Sequence, residues 1–506
     1  MHQSPPKESS QTKQPARSEL PPSSAEGEVP FPLTVGQIRR WKETRRATVH
    51  QLSPAYLLQG PLDFTTFTAA LTEVVAHHEN LRIRITERDG EPEATLLPPQ
   101  TTPSTALVDL AGLDESTQLR LVSHYSTEEA AQPLDLSVGP LRCTVLRLDA
   151  ERHVLLTTLS HVVADGWSVG VLFRDLQSAC TALALGASFW KPAEERAPFR
   201  EFVEAQQSQA HSKAVTEGLA WWVRQLDGAD WDVGIDDYRS DDHNGMAASH
   251  PFVLPEETGR ALRALARSER TSVFAASVTA LAVVLCRRAG RNDIVVTVPY
   301  FGRDTPGHEY TVGLYVNRLA LRLPMDEDAS FAWHLRQTRE VLLDALDHRD
   351  VPYELISDAL STPEKPAIAR IVMQTVPQSM FEESEDTSCI RFTLLNFRDL
   401  HMQRELGLSL PEPEEGGATF GGLRHRLSFV PASVGAELVC EYLRMLSSAA
   451  STPHTPVRNL GHPPARGTLD AELEQFFALS PLHEAIVPAI RLPGGSTKGR
   501  NTAEPW

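Results

Sequence analysis

The chain has 506 residues, 41% of them hydrophobic, which is more than one typical core holds, so two lobes are the starting expectation. Its formal charge of -18, from 66 acidic against 48 basic side chains, argues against nucleic acid and against an anionic membrane surface, since both need a basic face. A soluble, cytoplasmic, monomeric protein is expected, with neither of those partners.

Residues 1–28 are rich in Pro, Ser, Glu, Lys and Gln and almost free of large apolar side chains, so they cannot offset their ordering entropy and read as a disordered tail. Order begins where Thr34 precedes Gln37 by three residues, a capping box opening a helix. That helix carries Arg39, Arg40, Lys42, Arg45 and Arg46, which read as a solvated face in preference to a docking patch for an acidic partner. A helix over Phe64–His77 and a strand over Leu81–Ile85 follow. His77, His78 and Glu79 are consecutive, so their side chains diverge; a structural junction is expected there and no metal.

Leu141–Leu148 and Val154–Leu159 are short apolar runs joined by Asp149-Ala150-Glu151-Arg152, the pattern of a hairpin. The second strand runs into Ser160-His161-Val162-Val163-Ala164-Asp165-Gly166, and a helix opens behind it with Ser168 as its expected N-cap. A strand-to-helix turn holds a polar side chain between rigid elements, and Gly166 would allow a tight backbone there. An imidazole at that point can take a proton from an amine or hydroxyl near neutral pH, which makes His161 the candidate catalytic residue. Asp165 could polarise that histidine or pin the loop through a distant cation, and the motif by itself does not choose.

Beyond this turn, Lys191–Pro198 reads as a crossover, and Phe199–Gln209 and Ala214–Leu226 as helices. Asp227–Asn244 reads as a solvated loop, because its charges and turn formers follow neither period. A strand at Ser249–Leu254, a helix through Leu265 and a buried helix over Val273–Cys286 come next. Ile294–Val298 is a near-continuous apolar strand that delivers Gly302-Arg303 to its end. His348 stands at a helix terminus ahead of Pro352, and Phe381–Gly417 is either a crossing loop between lobes or an insertion. Leu423–Phe429 and Ala436–Leu443 read as closing strands, after which Ser447–Pro453 leaves little room for a closing helix. Residues 466–506 read as mostly disordered or as a docking peptide. Gly494-Gly495-Ser496 there faintly resembles a carrier attachment site, without the helical domain one needs. The cysteines, Cys143, Cys180, Cys286, Cys389 and Cys440, lack C-x-x-C spacing and read as reduced buried thiols.

Ser160 to Gly166 resembles the His-His-x-x-x-Asp-Gly signature of nonribosomal peptide synthetase condensation domains, within the chloramphenicol-acetyltransferase-like acyltransferase superfamily. Further segments resemble the family's other motifs in order: Phe31–Gln37 with Trp41, His77–Arg82, Phe199 and Phe202 with Trp221 and Trp222, Val298–Arg303, Val312–Asn317 and His348–Glu354. The resemblance implies an α/β (α+β) fold of two acetyltransferase-like lobes, at 29–190 and 191–465, forming a V-shaped pseudo-dimer around a central tunnel. It implies a free-standing enzyme that moves an acyl or peptidyl group from the phosphopantetheine thioester of a separate carrier protein to an amine or hydroxyl, with no cofactor bound by the chain itself. The acceptor would ride on a second carrier or be a free small molecule. Runner-up readings are an O-acyltransferase using CoA or a polyketide carrier, and a non-catalytic recruitment module.

By the same resemblance His161 is the catalytic residue, as base or positioning group, and Asp165 with Arg303 is a salt bridge joining the lobes beside Gly166. Ser160 and Trp167 would line the substrate channel. Asn317 would either line it or cap a turn. The oxyanion would meet the backbone N–H of Gly166 or Trp167. Ser160 departs from the pattern, standing where the first motif histidine is usual.

Overall fold

The computed structural model describes residues 28–45, 51–229, 231, 247–362, 370–375, 389–397, 405–413 and 419–462. The tails at 1–27 and 463–506, with Arg46 and most of Asp227–Asn244, lie outside the described residues.

The first half is built on a mixed sheet of β2 (Gln51–Leu52), β3 (Pro54–Gln59), β6 (Ser104–Asp109), β7 (Leu141–Arg147) and β8 (Arg152–Ser160), joined by a strand from much later in the chain, β13 (Arg391–Phe397). Its long order is β13-β3-β8-β7-β6, with β2 pairing β8. The expected hairpin is present, β7 and β8 pairing antiparallel from Leu141–Leu159 to Arg147–His153. Side chains alternate across a strand, and β3 shows the result: Tyr56 and Leu58 enter one apolar core while Ala55 and Leu57 enter another. The first core is closed by α2 (Phe64–Ala76) and α4 (Gly166–Ala184), the second by α3 (Glu115–Ala131). A small sheet of β1 (Val29–Phe31), β5 (Glu91–Leu96) and β4 (Ile83–Arg88) flanks this half. Leu81 precedes its strand in a short 3-10 turn, Glu79–Arg82.

The second sheet has the order β11-β10-β12-β14-β15-β9, from β9 (Ala247–Leu254), β10 (Asp293–Tyr300), β11 (Asn317–Pro324), β12 (Ile371–Gln374), β14 (Leu406–Ser409) and β15 (Thr419–Arg426). Helices α7 (Glu256–Ser268), α8 (Val273–Ala289), α9 (Phe331–Asp347) and α11 (Ala432–Ser451) share one large core with it. The remaining helices, α1 (Val35–Thr44), α5 (Phe199–Gln209), α6 (Lys213–Leu226) and α10 (Tyr353–Leu360), gather near the junction of the halves. Among the described residues no single helix is long and apolar enough to cross a membrane.

Three expectations are corrected. The segment Ala436–Leu443 is not a strand but the middle of the twenty-residue helix α11, and the closing helix thought to lack room is this one. Gly435, Leu438, Val439, Tyr442, Leu443, Leu446 and Ala449 are buried at helical spacing, a period that the apolar run hides when read over eight residues. Of the two alternatives for 381–417 the crossing one holds, since β13 within it leaves the second half and pairs antiparallel with β3, Phe392 against Leu58. The contiguous division at 191–465 therefore does not describe the sheets. Finally, α4 begins at Gly166 and not after Ser168. Asp165 is its N-cap, accepting the Ser168 N–H at 2.9 Å, so Ser168 sits one turn inside.

The five cysteines form no disulfide, and all but Cys389 are buried.

Leu446 is wholly buried and Ser447 beside it is exposed, as helix geometry requires. Leu446→Ala should lower the unfolding free energy by about 2–5 kcal/mol, and Ser447→Ala should change it by less than about 0.5 kcal/mol. Urea denaturation of the two variants checks this.

Candidate active site

His161 leaves the end of β8 and precedes α4, and the turn between them is fixed by its own hydrogen bonds. Ser160 Oγ accepts the Val162 N–H at 3.2 Å, and the Val163 N–H donates to the Ser160 carbonyl at 3.1 Å. Ser160 is itself buried, with its register partner Gln51 across the sheet, so it serves the turn more than any open channel.

The His161 ring is half-buried, and its Nδ1 lies 2.7 Å from the Ala164 carbonyl. A carbonyl only accepts, so Nδ1 carries the proton and Nε2 keeps its lone pair. Nε2 has no hydrogen-bond partner among the described residues. Burial, then the nearby cation Arg40 and, more weakly, Arg318, hold the imidazole's pKa well below its ordinary 6.5, although the Ala164 bond works the other way. The ring is thus neutral near pH 7, in the tautomer that presents a base.

Asp165 is 1% exposed and turned away from the imidazole, toward the second half of the molecule. Its Oδ1 accepts from the Ser168 N–H and from Arg303 Nη2 at 2.9 Å, and its Oδ2 from Arg303 Nη1 at 2.8 Å. The backbone N–H groups of Tyr315 and Val316 add to Oδ2 at 3.1 and 3.2 Å. Two parallel N–H···O bonds form the fork geometry that suits guanidinium and carboxylate. Arg303 reaches this position because Gly302 takes φ +66°, where a Cβ would stand 2.5 Å from the Tyr315 carbonyl oxygen. Its guanidinium also stacks 4.4 Å over the Tyr315 ring.

The other sequence-derived residues have definite places. Gly166 keeps an ordinary φ and a Cβ there would meet nothing within 4 Å, so the tight backbone expected of it is not needed. Trp167 donates its indole N–H to the Glu309 carbonyl at 2.9 Å and tilts against Phe301, which makes it a second tie between the halves. Asn317 takes the turn-capping alternative. Its amide N donates to the Arg349 and Val351 carbonyls at 2.8 Å, and its oxygen accepts the Tyr353 N–H at 3.0 Å at the start of α10. The side chain is fully engaged by backbone, which leaves nothing for a channel.

His78, read as part of a junction, is wholly buried and pairs with Asp175 at 2.9 Å, while Arg196 from the crossover holds the same carboxylate oxygen at 2.6 Å. No cluster of His, Cys, Asp and Glu that could hold a metal occurs among the described residues.

Sequence reasoning missed Arg40 and Arg318, the two cations acting on His161. Arg40 belongs to the run read as a solvated face, yet it is 7% exposed, on the buried side of α1 with Gln37 and Trp41. The spacing of three and four residues from Gln37 was the available signal.

His161, with one ring nitrogen free, thus stands where two sheet-and-helix halves are pinned by a buried ion pair. The chain belongs to the condensation domain family, whose profile matches residues 29–468. A linear gramicidin synthase of Brevibacillus parabrevis is 27% identical over 438 residues, 84% of this chain but 6% of that protein, so the chain spans a small part of such relatives. Among solved structures, the X-domain in complex with OxyB from teicoplanin biosynthesis matches with a TM-score of 0.75 at 22% identity, over 90% of this chain and 99% of that one. SgcC5 of Streptomyces globisporus, crystallised with (R)-(-)-1-(2-naphthyl)-1,2-ethanediol and sucrose, matches with a TM-score of 0.68 at 25% identity, over 80% of this chain and 94% of that one. The fold is the chloramphenicol-acetyltransferase-like fold of these domains.

Asp165→Ala would leave the Arg303 guanidinium, 4% exposed, without its counter-charge. A stability loss of about 3–5 kcal/mol is expected, larger than for the paired replacement of Asp165 and Arg303 by apolar residues; chemical denaturation of the three proteins measures it.

Proposed function

We propose that the protein is a condensation enzyme that transfers an acyl or peptidyl group from a carrier-protein phosphopantetheine thioester to an amine or hydroxyl, forming an amide or an ester in nonribosomal peptide or hybrid polyketide biosynthesis. The observation that carries this reading is the unpartnered Nε2 of a neutral His161, its tautomer fixed by the Ala164 carbonyl. A thioester is already activated, so the protein need only align the two reactants and manage one proton. The nucleophile's proton passes to Nε2 as its nitrogen or oxygen bonds to the thioester carbon. Collapse of the tetrahedral centre expels the pantetheine thiolate, which takes up that proton. The first N–H groups of α4, at Gly166 and Trp167, lack intrahelical partners by geometry and would face the developing oxyanion.

SgcC5, a structural neighbour of similar extent, was crystallised with a diol, which favours keeping hydroxyl acceptors open beside amines. The competing reading, a recruitment module, has a neighbour in the X-domain bound to OxyB. Fold alone does not choose between the two, and the free imidazole nitrogen favours transfer.

Intact mass spectrometry of acyl-loaded carriers incubated with the protein and a panel of amines and alcohols tests the reading. His161→Ala should slow loss of the acyl group by about 100- to 10,000-fold. Stable carrier or partner binding without any His161-dependent transfer would assign the recruitment module instead. Because burial and Arg40 favour the neutral ring, the base form persists as pH falls through 6.5. The acid limb of the pH–rate profile should therefore lie below pH 6.5, and a limb above it would contradict His161 as the base.

A further inference from the structure

Helix α1 turns Gln37, Arg40 and Trp41 inward. Gln37 is used by the capping box, its Oε1 accepting the Thr34 N–H at 3.0 Å, and Trp41 fills the core of the first half. Arg40 has no such employment. It is 7% exposed, yet among the described residues it makes no hydrogen bond and no ion pair, and none of its nitrogens is sealed from solvent. The carboxylates near enough to act on it are Glu354, Glu43 and Asp165, and none bonds it. Asp165 is already held by Arg303.

A second guanidinium shares this region. Arg318, half-buried beside the Asn317 clamp at the start of β11, stacks 5.6 Å over the Tyr353 ring at the start of α10, the helix that packs against α1. Its side chain likewise has no hydrogen-bonding or ionic partner among the described residues. The two cations oppose each other: burial first and then Arg318 bring Arg40 down to about 10 from its ordinary 12.5, and both act on the His161 ring. Burying a cation without a partner is unfavourable, and placing two together is more so. Three carboxylates act on Arg40 from a distance, but among the described residues none bonds either guanidinium, which leaves the pair able to take an anion that arrives with the substrate.

We propose that Arg40 and Arg318 form an anion pocket beside His161 that binds a substrate carboxylate. Planar guanidinium groups match a carboxylate through paired N–H···O bonds. The phosphate of the pantetheine arm does not compete for this place, because the full length of the arm separates it from the thioester. Two sources of carboxylate fit. An amino or hydroxy acid loaded on a carrier has its carboxyl tied up as a neutral thioester, whereas an unloaded one keeps it, a bond or two from the attacking atom. The other source is a terminal carboxylate on the acyl chain of the donor. This pocket rests on the acyl-transfer reading of His161 for its purpose but not for its detection.

The test is titration calorimetry of the protein with the proteinogenic L-amino acids and L-lactate, each against its carboxamide. Alongside it, succinyl-loaded and butyryl-loaded carriers are compared as donors in the transfer assay. An acid favoured over its amide by about 10- to 100-fold, the range for a charge-assisted hydrogen bond, places the pocket on the acceptor side. A similar preference for the succinyl donor places it on the donor side. Either preference should collapse in Arg40→Met and in Arg318→Met and return in part in Arg40→Lys. Acids and amides binding alike, together with equal use of the two donors, would overturn the pocket, as would a preference that survives both methionine variants. Acid-selective binding with no transfer from any carrier would sink the transferase reading and leave the pocket standing. The comparison of acid with amide uses the unaltered protein, so it stands even if a variant fails to fold.

Discussion

The Asp165–Arg303 ion pair is the constraint on which the site depends. One carboxylate closes the first turn of α4, holds a guanidinium from beyond β10, and accepts the N–H groups of Tyr315 and Val316 ahead of β11. Each of these bonds alone is modest, but they share one buried acceptor, so the strand exit carrying His161 and the segment of the second half facing it are fixed together. Removing the charge would free neither partner to solvent, which is why such pairs cost so much to break and so little to keep once assembled. A consequence for chemistry is that Asp165 has no capacity left to polarise His161. The imidazole is oriented by a backbone carbonyl instead.

That division of labour sets the electrostatics of the site. With its aspartate committed elsewhere, His161 stands in a field dominated by cations, Arg40 first and Arg318 after it. A histidine meant to stay charged would be paired with a carboxylate. This one is kept neutral by its surroundings and keeps one ring nitrogen open, which suits transient acceptance of a proton during attack on an activated acyl group. In the proposed transfer, the same field would push an accepted proton off again, toward the departing thiolate.

Much of this was legible in the sequence because it is written locally. The hairpin before His161, the Thr34–Gln37 capping box, the helix at Phe199–Gln209 and the buried helix read over Val273–Cys286, which runs on to Ala289, follow from composition, period and caps over a few residues. The pairing of Asp165 with Arg303, residues far apart in sequence, came from a collinear set of motifs and not from any property of the two alone. What could not be read was whatever depends on contacts that the period does not encode. Arg40 looked solvated because its neighbours Arg39 and Lys42 are, and only packing shows that the helix turns it inward. Ala436–Leu443 is apolar enough to pass for a strand until its buried positions are seen to repeat once per helical turn. Asn317 and Gly166 were weighed as site residues on the strength of their position, and their actual partners, backbone carbonyls in one case and open space in the other, have no local signature.

Strand β13 carries a consequence for how the molecule can move. After β12 in the second sheet the chain adds Arg391–Phe397 to the edge of the first sheet against β3, and then supplies β14 to the second again. Ile390 and Phe392 are sunk in the first half's core, and the Phe392 N–H is held by Gln177 of α4 at 3.1 Å. The halves are thus interleaved like clasped fingers and do not meet as separable beads. Neither can be cut out as a complete unit, since the first would lose an edge strand and the second would be severed in mid-sheet. Any wide parting of the halves would have to peel a hydrogen-bonded ladder from its sheet. Relative motion of the halves is thereby limited to small angular adjustments that leave this clasp paired.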